Sequence, residues 1–174
     1  MTRVAIKILL RRMNAAYQDD PFHALRKNLA SVLPEEWDVR PPGWVSDDDG
    51  AQPEPTIAEL VLHVAAPKYV FADHVFGNAT MRWRDVKLPE LDRESVLKWL
   101  DEGQRRLVDG LAALEDDAEL ALERQTPWDA PHPERMRRDQ FLAIVMDHDL
   151  YHSGEINRQR ALIRGTQGGW ERGR

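Results

Sequence analysis

FLAIVMDHDLYHSGEINRQRALI, residues Phe141 to Ile163, reads as one long helix. Phe141, Val145, His148, His152, Ile156 and Ile163 recur at spacings of three, four or seven, which places them along one face. Such a stripe normally faces a core. Here two histidines interrupt it, four residues apart and therefore one turn apart on the same side of the helix. Glu155, three residues beyond His152, shares that face. Imidazoles and a carboxylate in an apolar seam are costly to bury unless a partner satisfies them, and a metal ion is such a partner.

Working outward, Thr56 with Glu59 forms a capping box that starts a second long helix, IAELVLHVAAPKYVFADHVF, and Gly77-Asn78 stops it. Leu60, His63, Val64, Pro67, Phe71 and Val75 lie along one side, so His63 is a third histidine within a buried stripe. Pro67 removes the amide that would bond the carbonyl of His63, and a local kink is expected there. His74 follows His63 by eleven residues, about 16 Å along the axis, too far to share an ion with it.

Thr2 to about Tyr17 carries a helical stripe of Val4, Ile8, Leu9 and Met13. Asp20 before Pro21 predicts a restart that runs to about Val32, with Phe22, Leu25, Leu29 and Val32 turned inward. A further helix is expected from about Arg93 to Leu114, with Gly103 and Gly110 weakening it or allowing close helix approach. The last helix is expected to begin near Arg135, with close packing at Gly154. Residues 38–55 and 124–134 are long connections rich in proline and acidic residues. Both are expected near the open side of a metal, and Trp44 is read as a surface aromatic tucked against the helices. No strand alternation or solenoid repeat is visible. The expected fold is all-α, one domain over 1–174: a four-helix bundle of up-down-down-up type with long connecting loops.

The chain has 174 residues, a formal charge of -6 and no cysteine. The charge gives no electrostatic case for nucleic acid. The missing cysteines remove disulfides, zinc-thiolate sites and any protein thiol nucleophile. The N-terminus is not a secretion signal, since Lys7 breaks its apolar run, and no window is long enough to span a membrane, so a cytoplasmic home is expected.

Several metal architectures fail on spacing. A di-iron bundle needs paired Glu-x-x-His units, whereas His152-x-x-Glu155 is single and reversed. The zinc-protease HExxH is absent because Asp149 follows His148. What remains is a mononuclear three-histidine site with an open position for water or substrate. Of the other histidines, His132 lies between prolines in a loop, and His23 is read as a surface or capping residue.

The fragments ELVLHVAAPKYVFADHVFG and DHDLYHSGEINRQRAL, with PFHALRKNL and PEEWDVRPP before them, resemble the DinB/YfiT-like family of small bacterial metal-dependent bundles over most of the chain. That family has one histidine on its second helix and HxxxHxGQI on its fourth, matched here by His63, His148, His152, Gly154 and Ile156. Glu155 stands where many members have glutamine. The resemblance implies a divalent ion, zinc or nickel, on His63, His148 and His152, and frequently a homodimer. A small-molecule substrate is expected, and charge and hydropathy give no expectation of a nucleic-acid or membrane partner. Some relatives are thiol S-transferases using bacillithiol or mycothiol; others are isomerases or hydrolases.

Two functions follow from this reading. In the first, the ion activates a low-molecular-weight thiol or water, Glu155 orients a ligand histidine or takes a proton, and Arg158 meets an acidic cofactor. In the second, the protein is a non-catalytic, metal-stabilised bundle acting as a binding or stress-related protein.

Overall fold

A computed structural model describes residues 1–41, 54–128, 131–132 and 134–166. The chain is predominantly helical, with α1 at Val4–Asn14, α2 at Leu25–Ala30, α3 at Ile57–Phe76, α4 at Arg93–Ala112 and α5 at Arg138–Ile163. Among the described residues no helix is long and apolar enough to cross a membrane. Most of the 38–55 connection, Trp44 included, lies outside the described residues.

Local chemistry sets the helix ends. Arg3 offers α1 no side-chain cap, and the Asp117 carboxylate instead accepts from the amides of Ala5 and Ile6 at 3.1 and 3.0 Å. α1 continues as a π-helical turn, Ala15–Asp19. The predicted restart at Pro21 is corrected. The Asp20 side chain accepts from the amides of Phe22 and His23 in a tight turn, and helix resumes only at Leu25. Phe22, expected inward, is 68% exposed because it sits in that turn.

The capping box of α3 is present. Thr56 accepts from the Glu59 amide at 3.2 Å, and the Glu59 carboxylate accepts from the Thr56 amide at 2.8 Å. α3 stays helical through Pro67 to Phe76. It packs along both α4 and α5. The expected close approach to α4 is found: a Cβ on Gly103 would stand 2.9 Å from the Tyr69 ring, and one on Gly110 would overlap the Phe76 ring. Gly154 differs from expectation, because a Cβ there meets open space. A second correction concerns the 124–134 stretch. Glu123–Gln125 (β1) pairs antiparallel with Arg135–Arg137 (β2), and α5 begins only at Arg138.

The apolar core falls into two clusters. Ile6, Met13, Val70, Phe71, Leu107, Leu111, Phe141 and Leu142 belong to one. Leu25, Leu29, Ile57, Val61, Val96, Leu100 and Ile156 belong to the other. Lys68 on α3, Gln104 on α4 and Asp149 on α5 each fall, along their own helix, between residues of the two clusters. All three are buried, and Lys68 bonds both of the others. The Lys68 ammonium donates to both Asp149 oxygens at 2.6 and 2.7 Å and to Gln104 Oε1 at 2.9 Å. A polar layer thus crosses the core at the level from which the histidines emerge.

Candidate metal centre

α3 contributes His63, and α5 contributes His148 and His152. The two α5 histidines face the same way because the helix returns to one face every four residues. Packing of α3 on α5 brings the third ring across. His148 Nε2 lies 3.2 Å from His63 Nε2 and 3.1 Å from His152 Nε2. One ligand atom from each ring falls within 4.8 Å of the others, a group that could hold a metal ion. The triad grades from exposed His63 through half-buried His148 to buried His152, so it has an inner wall and an open side.

Two observations bear on whether these residues fit an ion. Metal–nitrogen bonds of about 2.0–2.1 Å meeting at a tetrahedral angle leave the two nitrogens about 3.3 Å apart, close to the separations seen. Proton counting points the same way. His152 Nδ1 is 2.6 Å from a Glu155 carboxylate oxygen, which can only accept, so Nδ1 carries the proton and Nε2 presents a lone pair. His148 Nε2 faces both other Nε2 atoms, and a single N–H can satisfy only one of them. A cation between the rings satisfies all three lone pairs. The donor set of three imidazoles suits a divalent transition metal.

The electrostatics hold His63 and His148 in their ligand form. Burial, followed by the charges of His152, His63 and Lys68, pushes His148 down to about 3. Burial and His152 lower His63 as well, opposed by Glu155. A neutral imidazole is the form that binds metal. Next to the triad, burial pulls the Lys68 ammonium down and pushes the Asp149 carboxyl up, each opposed by the other's charge.

The other residues singled out in the sequence separate cleanly. Glu155 joins the site through His152. Arg158 is exposed and is not among the residues lining the adjoining cavity. His74 is buried elsewhere, with Nδ1 2.8 Å from the carbonyl oxygen of Gln125 and Nε2 2.9 Å from that of Met81. His23 is exposed beside Asp20, and His132 lies against the Trp128 ring.

Sequence reasoning missed the rest of the wall. A cavity of about 230 Å³ opens beside His63 and His148, with Lys68 and Asp149 also lining it. Its apolar lining includes Pro67, Phe71, Ile144 and Val145 together with Trp83 and Trp128 from the connections. The 124–134 connection therefore does reach the site, through Trp128. Lys68 had one available signal, as the single charge in the apolar run VAAPKYVF.

No curated protein matches the chain. The family profile described as the DinB superfamily matches residues 21–156, a span that holds all three histidines of the triad, Glu155 and every residue named on the cavity wall. That match covers well over half of the sequence, and the chain belongs to the DinB superfamily.

Proposed function

We propose that His63, His148 and His152 bind one divalent ion, zinc or nickel, and that the centre belongs to a metal-dependent enzyme acting on a small molecule. The reaction would be of the thiol S-transferase or hydrolase type. The observation that carries this reading is the convergence of the Nε2 atoms at 3.1 and 3.2 Å, with Glu155 fixing the proton of His152 on its far nitrogen. When bound, the ion would supply Lewis acidity, lowering the pKa of a thiol or water at its open position.

The chain's own residues do the remainder. Glu155 holds the His152 ring in its orientation and tautomer. Exposed His63 leaves the entrance on its side, and the cavity beside it offers walls for a substrate. The absence of cysteine fits a nucleophilic sulfur brought by a cofactor such as bacillithiol or mycothiol. The up-down-down-up bundle order is part of the same reading, supported by the packing of α3 on α4 and α5 and of α1 on both.

The test is metal content by mass spectrometry after purification without added metal or an affinity tag, followed by assays with low-molecular-weight thiols and electrophiles. Stoichiometric metal and turnover that chelation abolishes are expected. Metal-dependent melting without turnover would favour a non-catalytic bundle, and absence of metal would defeat both readings.

A further inference from the structure

We infer that the cavity beside the triad receives an uncharged, single-ring aromatic molecule; as a statement about substrate class this rests on the metal-site reading above. Size comes first. About 230 Å³ is below the roughly 300–1,000 Å³ of drug-sized ligand sites, so the occupant is small.

Charge comes second. Lys68 and Asp149 line the cavity, and a lysine there would ordinarily argue for an anion. Here all three ammonium hydrogens are used, two on the Asp149 oxygens and one on Gln104. Both charges are spent on each other, and the pair is buried. A charged group lying against this wall would lose its water and meet no free counter-charge there; the proposed ion offers one only to a group that coordinates it directly.

Shape comes third. Phe71, Trp83 and Trp128 come from three separate segments to the same wall. The Phe71 ring meets Trp83 edge-on at 6.1 Å and Trp128 edge-on at 5.5 Å, while Trp128 stacks on Phe141. Trp128 is thereby held in place, and Trp83 remains 40% exposed at the edge of the cluster. Rings in such arrangements favour a further ring at stacked or edge-to-face geometry over an aliphatic group of equal size. His63 and His148, at the same cavity, bring a reactive group on that ring to the proposed ion.

The experiment is an NMR titration of the tryptophan indole N–H signals in the full-length protein. Benzyl alcohol, cyclohexylmethanol and the weakly coordinating anion benzenesulfonate are compared, with metal content measured on the same samples. Benzyl alcohol should shift Trp83 and Trp128 but not Trp99, which stacks on Tyr69 away from this wall. It should half-saturate at a concentration about three- to tenfold below that of cyclohexylmethanol, the worth of an aromatic pair. Benzenesulfonate should bind more weakly than either. Trp83→Leu should erase the aromatic preference, and Ile144→Trp, which fills the cavity, should abolish binding. His152 does not line the cavity, so His152→Ala should lose metal yet still bind benzyl alcohol. Equal binding of benzenesulfonate, no aromatic preference, or unchanged binding in Ile144→Trp would overturn the inference. Metal retained with no saturable shift defeats the cavity and leaves the metal site standing; binding without metal in the native protein does the reverse.

Discussion

His63 Nε2 and His148 Nε2 stand 3.2 Å apart across two helices, though the residues are 85 positions apart in the chain. Nothing but an acceptor of lone pairs, a proton or a cation, makes that separation favourable. His148→Ala or His152→Ala should therefore abolish stoichiometric metal and lower the melting temperature. An ion present at a hundred times its Kd adds about 2.7 kcal/mol to stability. His74→Ala, which removes a buried ring bonded to two carbonyls, should destabilise the protein but leave metal content near the wild-type value. Metal analysis with thermal melts, with and without chelator, checks all three.

Glu155 touches the site through the His152 ring, at 2.6 Å. Glu155→Ala should weaken metal affinity by about 10–100-fold, the usual effect of removing such a partner, while the fold persists. Glu155→Gln keeps an acceptor and should fall between that and wild type. Competition with a chromogenic chelator gives the numbers.

The Lys68–Asp149 pair is buried at both ends. Lys68→Met leaves a carboxyl without its partner and should cost about 3–5 kcal/mol in urea unfolding. Lys68→Met with Asp149→Leu should recover most of that loss, so the two changes will be strongly non-additive.

The glycines of α4 and α5 should respond with opposite signs. Gly110→Ala drives a Cβ into the Phe76 ring and should cost about 1–3 kcal/mol. Gly154→Ala meets open space and should gain about 0.5–1 kcal/mol from helix propensity. Chemical denaturation of each variant decides.

Asp73 gives an acid-dependent contribution. Burial raises its pKa, but accepted amides of Met81, Thr80 and Asn78 outweigh that, and the net shift is downward. A carboxyl lower in the folded than in the unfolded chain stabilises fully above its unfolded value of about 3.9. That contribution is lost as pH falls through the folded value. Asp73→Asn should melt below wild type at neutral pH, and the gap should narrow below pH of about 4. Melting curves across that range test the sign.

The sequence by itself determined the local facts. Helix periodicity placed His148, His152 and Glu155 on one face, and Thr56 with Glu59 marked a helix start, because both depend only on residues within a turn. His63 could be assigned to the set only through resemblance to a family, since periodicity says nothing about which helix lies opposite. Tertiary structure alone decided the rest. β1 and β2 are three residues each, too short to show alternation, and exist because they pair. Asp117 caps a helix more than a hundred residues away. Gly110 is needed by Phe76 of another helix, whereas Gly154 faces open space. Trp83 and Trp128 lie in connections, and only packing sets them around Phe71. The partners of Lys68 were set by the fold, which put Asp149 and Gln104 within hydrogen-bond reach of its ammonium. Burial and partner choice between distant segments are properties of the packed chain, and local sequence carries no coordinate for them.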